Sequence, residues 1–86
     1  MRVPTIHTNG TSRQALFDAV CEAGTAIHLA MVKLQETSPN GRDYYPQGES
    51  ALAEATKEHL NRLERLHSVY EEIQALADAI ADGGLS

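Results

Sequence analysis

Apolar residues recur along most of the chain at alternating spacings of four and three. Leu16, Val20, Ala23, Ile27, Ala30 and Leu34 form one series, and Leu52, Thr56, His59, Leu63, Leu66, Tyr70, Ile73, Ala77 and Ile80 form a second. Each is the seam of a helix packed on another helix. The pattern therefore predicts one helix over about residues 12–37 and another over about 50–82. Thr11 followed three positions later by Gln14 fits a capping box, in which each side chain satisfies a backbone N–H at the helix start. Pro39 opposes continuation of the first helix, and the Gly83–Gly84 pair ends the second.

Folding the chain back between these helices pairs Leu34 with Leu52, Ile27 with His59, Val20 with Leu66 and Leu16 with Tyr70. The expected fold class is all-α: an extended or turn segment over residues 1–11, then an antiparallel two-helix hairpin over 12–86 with its loop at about 38–49. On this pairing the second helix overshoots the first by roughly two turns. Ile73, Leu76, Ala77 and Ile80 are then left for the N-terminal segment or a second subunit to cover. Apolar flanks point the same way, since Leu29 and Val32 on one helix and Leu60, Val69 and Leu76 on the other lie off the seams. A homo-oligomeric helical bundle is expected. Gly24 costs about 1 kcal/mol relative to Ala in mid-helix, and a close approach by another backbone is one reason to tolerate it.

Composition adds bounds. Eighty-six residues make one domain with little interior of its own, and one Phe, three Tyr and no Trp disfavour a β-sandwich. The net charge of −5 falls in the second half, where Lys57, Arg62 and Arg65 face eight carboxylates. Such a surface repels a phosphate backbone, so duplex nucleic acid is not an expected partner. Cys21 is the only cysteine, which excludes an intrachain disulfide and a thiolate zinc cluster and suggests a small buried filler. With no apolar run near the roughly 18 residues of a membrane span and no signal-peptide core, the expected location is cytoplasmic, away from membranes.

Candidate chemistry gathers in two places. The loop "SPNGRDYYPQGES" is longer than the roughly two to eight residues a helix-to-helix turn needs. In it Arg42 offers a fork of donors for phosphate or carboxylate, Asp43 could orient that fork or accept from a ribose hydroxyl, and Tyr44 and Tyr45 offer flat faces for a base. Asn40–Gly41 there, and Asn9–Gly10 before the first helix, favour turns that expose successive N–H groups. Thr11 and Arg13 stand beside the latter. Together these residues could hold a small anionic, nucleotide-like ligand. The plainer alternative is that each Asn–Gly only reverses the chain, Arg42 and Asp43 form a solvated pair, and the tyrosines close the seam. The first helix would separate the two places by roughly 39 Å, so they can meet only between subunits.

His28 and His59 fall at matching heights in the expected pairing, but facing Glu-x-x-His elements are lacking, and a hydrogen-bonded seam histidine is the default. No metal, cofactor or catalytic constellation is expected, and the chain reads as a non-enzyme.

The stretches "IHTNGTSRQAL" and "PNGRDYYPQG" resemble a family of small proteins encoded in tailed-phage genomes, in which an Ile-His-x-Asn-Gly-Thr-Ser lead-in precedes a helical hairpin with an Asn-Gly-Arg-Asp-Tyr-Tyr loop. The resemblance covers most of the chain and implies a phage context, hence the cytoplasm of an infected bacterium. In architecture alone, such a helical oligomer is also similar to viral sponge proteins that sequester nucleotide immune signals. Sequestration of a phosphorylated ligand is thus the leading expectation, and an adaptor that binds a phage or host protein is the alternative.

Overall fold

The computed structural model describes residues 1–7 and 10–83. These contain helix α1 (Arg13–Gln35), the short helix α2 (Gly41–Tyr44), a 3-10 turn (Tyr45–Gln47) and helix α3 (Glu49–Gly83), with no strand among them. The fold is all-α.

Helix α1 begins one residue later than the capping-box pattern implies. Ser12 is the N-cap and its Oγ accepts from the Ala15 amide at 3.1 Å. The box between Thr11 and Gln14 does not form, because the third helical position is now Ala15, which has no side-chain acceptor to return. Gln14 instead donates to Asp18 at 2.8 Å, one turn along. At its other end α1 stops at Gln35, and tight bonds from the amides of Thr37 to Leu34 and Ser38 to Gln35 close the last turn. The Thr37 and Ser38 hydroxyls cap the same two carbonyls at 2.7 Å.

The contacts between α1 and α3 run in antiparallel order, but about three turns away from the expected pairing. Gly24 lies against Ile73 and Gln74, the His28 and Tyr70 rings are 5.7 Å apart, and Ser38 meets His59 at 3.1 Å. The expected partners of Leu34, Ile27, Val20 and Leu16 are therefore incorrect. The connection explains the shift. Instead of reversing at once, it continues past the end of α1 beside the first turns of α3, so that Gly41 reaches Leu52. Three extended residues at about 3.3 Å each match seven helical residues at about 1.5 Å each, which is the advance from the Ser38–His59 level to the Gly41–Leu52 level. Pro39 favours that extended backbone at Ser38. The chain reverses only at Gly48, whose φ of 104° is the one positive value among the described residues.

This register also corrects the expected overshoot. Ala77 and Ile80 are 5% and 2% exposed, so the C-terminal end of α3 is covered within the chain, and it is the N-terminal end that extends beyond α1. Beneath the connection, Ala55 and His59 are buried. Gly24 is buried too, although what approaches it is a pair of side chains rather than a backbone.

Little else is enclosed. The molecule measures 61 × 19 × 17 Å and its radius of gyration is 18.8 Å, against about 12 Å for a compact chain of this length. Leu29, Val32, Leu60 and Val69 remain exposed. An 18-residue stretch of α1 reaches a mean hydropathy of 1.4 with 6% of it buried, long and apolar enough to cross a membrane by length and composition alone. The sequence expectation had found no such stretch because Asp18 and Glu22 interrupt it.

Candidate functional site

The connection is an ordered structure with its own caps. Asn40 is the N-cap of α2, and its Oδ1 accepts from the amides of Arg42 at 3.0 Å and Asp43 at 3.2 Å. Its Nδ2 donates to Asp43 Oδ2 at 2.9 Å. Asn40 and Asp43 therefore stabilise the turn, and the two amides expected to face an anion are occupied by the Asn40 side chain. Gly41 is helical and does not adopt the positive φ expected of an Asn–Gly turn. The anion cradle expected at Asn40–Gly41 is replaced by an Asx cap.

The neighbouring groups differ. Arg42 is exposed and makes no ion pair; among the described residues the pairs within 4 Å are Lys33–Glu36 and His67–Glu71. Tyr45 is 86% exposed, whereas Tyr44 is half-buried. With Gly41, Pro46 and Leu52 the two tyrosines line an open depression of about 550 Å³. Glu49 also lines it, so the depression itself carries a negative charge.

At the other end of α1, Asn9 lies outside the described residues. The Gly10 amide donates to the His7 carbonyl at 3.1 Å, and a Cβ at Gly10 would sit 2.9 Å from the exposed His7 ring, which would swing aside for a larger residue. Thr11 is exposed, relieved of capping by Ser12. Arg13 is half-buried, and its Nε is out of contact with solvent and has no hydrogen-bond partner among the described residues. An unsatisfied donor of this kind is uncommon in folded proteins. Within one chain, the 23 residues of α1 hold Arg13 about 35 Å from the connection. The structure thus brings Tyr44 and Tyr45 to one depression, with Arg42 exposed on the same connection but not among the residues that line it, and holds Gly10, Thr11 and Arg13 at the far end of α1.

The two seam histidines are separated as well. His28 packs on Tyr70, and His59 lies under the connection, eleven positions along α3 from that level or about 16 Å. Since the Ser38 hydroxyl donates to the Gln35 carbonyl, it accepts from His59, which places the proton on Nε2. Among the described residues no group of three or more His, Cys, Asp or Glu could hold a metal ion. Cys21 is half-buried beside a shallow depression with Phe17 and Thr25.

One feature escaped the sequence reading. Arg62 and Arg65 border a depression of about 380 Å³ with Leu34, Leu66 and Val69. They had counted only toward net charge, though their spacing of three on one helix was enough to place them on one face. Comparisons with protein-family models, curated proteins and solved structures give no match.

Proposed function

We propose that the chain works as a homo-oligomer of antiparallel helical hairpins that binds and sequesters a small phosphorylated, nucleotide-derived ligand without turning it over. The observation that carries this reading is the pairing, on one capped connection, of an exposed Tyr45 ring with an unpaired Arg42 guanidinium. An exposed aromatic ring and an exposed cation three positions apart on one connection suit the two halves of a nucleotide, the base by stacking and the phosphate by a forked hydrogen bond. Arg13, with its unsatisfied Nε, supplies a second cation from another subunit, along with Gly10 and Thr11. The ligand then lies between chains, and its natural setting is a bacterium infected by a tailed phage, where the captured molecule is an immune signal.

The test is calorimetric titration with mono-, di- and cyclic dinucleotides, followed by mass spectrometry of the recovered ligand. Arg42→Ala and Tyr45→Ala should each weaken binding about tenfold or more while leaving assembly intact. Recovered ligand should be chemically unchanged. Binding indifferent to both substitutions removes the reading, and a converted ligand would make the protein an enzyme.

A second reading is favoured by Leu60 and Val69, which are 58% and 47% exposed on α3. They suit an adaptor that holds a phage or host protein against its helical surface. Loss of protein capture on Leu60→Ser, with nucleotides ignored throughout, would select it.

A further inference from the structure

Helix α1 carries a second seam on the side turned away from α3. Ala15, Ala19, Glu22, Ala26, Leu29 and Lys33 recur at spacings of four, three, four, three and four, and all six are exposed. The order of spacings is the same read from either end. A face with that symmetry matches itself when a second copy is laid against it antiparallel, with small residues opposite large ones: Ala19 meets Leu29 of the second copy, and Glu22, its carboxylate directed to the rim, meets Ala26.

Area and charge choose the occupant. The chain exposes 6588 Å², whereas a folded chain of 9.4 kDa exposes about 5,000 Å². The excess, about 1,600 Å², is roughly twice what one partner contributes to a standard interface. Leu29 on this face is 58% exposed and Val32 beside it 40%, and an 18-residue stretch of α1 reaches a mean hydropathy of 1.4 with 6% of it buried. In the antiparallel arrangement Lys33 of one copy is level with Ala15 of the other, one turn from Asp18, so each copy sets a lysine near a carboxylate of its mate. A bilayer would leave Asp18, Glu22 and Lys33 in hydrocarbon without such partners.

We infer that this face of α1 is the two-fold contact of an antiparallel homodimer, a flat array of four helices with the two copies of α1 at its centre. The contact deepens the proposed function and supplies the juxtaposition on which that reading rests. It places Arg13 of one copy level with Gln35 of the other, and so brings the segment before α1 beside the start of the other copy's connection.

Cysteine cross-linking tests it in a Cys21→Ser background. Ala19→Cys with Leu29→Cys should give a covalent dimer on mild oxidation, whereas Ala19→Cys alone should not, because its two copies lie about 15 Å apart along the axis. Cross-linking by the single variant signifies a parallel contact and overturns the inference. So does a monomer at every concentration in sedimentation, or a monomer that instead partitions into vesicles of phosphatidylcholine and phosphatidylglycerol. Charge reversal covers the case in which the cysteine variants fold poorly. Asp18→Lys and Lys33→Asp should each weaken dimerisation about tenfold, and the double variant should recover most of the loss; no recovery rejects the pairing. Neither assay uses a ligand. A cross-linked dimer that ignores nucleotides keeps this contact and removes the sequestration reading, and a nucleotide-binding oligomer without the 19–29 cross-link does the reverse.

Discussion

Over its last turns α3 is covered by a long helix, and over its first turns by the connection, whose regular structure is one short helix and a 3-10 turn. The helix-covered end buries Ala77 and Ile80 by apolar contact. The end beneath the connection buries His59 at 4% exposure, and the contact that fixes it is a hydrogen bond from a seam histidine to Ser38. Packing specifies one end and polar geometry the other. A short connection has few side chains to pack beyond those covering Ala55, so a capped turn and a hydrogen-bonded histidine add there to what methyl groups do elsewhere. The same economy leaves Arg42 and Tyr45 outside the packing and open to a ligand.

Substitutions at the two ends should differ in size. Ile80→Ala removes the most enclosed side chain and should cost about 3 kcal/mol in urea unfolding at fixed protein concentration. A cost below about 1 kcal/mol would mean that the helix-covered end is loosely packed. Ser38→Ala leaves the His59 Nε2–H buried without its acceptor and should cost about 2 kcal/mol. Hydrogen exchange in that variant should accelerate over residues 49–61 and remain unchanged near Ile80; uniform acceleration would erase the distinction between the ends. Asn40→Ala frees the Arg42 and Asp43 amides and should cost about 1 kcal/mol, the usual size of a cap.

Gly24→Ala is the smallest change and the sharpest check on register. A Cβ there would lie 3.4 Å from Gln74 Nε2 and 3.5 Å from Ile73 Cγ2. The glutamine amide is the far end of a flexible side chain and can give way, so the better helix propensity should prevail by less than about 1 kcal/mol. Measured thermal unfolding that falls instead would show that Ile73 holds α1 more tightly than these distances indicate.

The two helices were legible in the sequence because each seam keeps its spacing over many turns and local signals end it. Their register was not. It depends on where the connection reverses, and Ser38–Asn40 could equally have begun a tight turn; only the extended backbone at Asn40 and the positive φ at Gly48 move the reversal three turns further on. The candidate site was partly legible for the same reason. Arg42 and Tyr45 stand out by residue type alone, whereas the role of Asn40 depends on whether its side chain turns inward to cap or leaves the amides open. Ser12 displaced Thr11 as cap through a one-residue shift that no spacing rule resolves. Arg62 and Arg65 acquired a setting only when Leu34 was placed beside them.

The central claim is capture of a small phosphorylated ligand by an oligomer of this chain. Native mass spectrometry of the purified protein, followed by denaturation and identification of any released small molecule, tests it most directly, with nucleotide and cyclic-dinucleotide mixtures added where nothing co-purifies. The expected result is an even-numbered oligomer that retains an intact nucleotide at a fixed ratio to its subunits. An oligomer that stays empty in every mixture would contradict the account and make the connection purely structural.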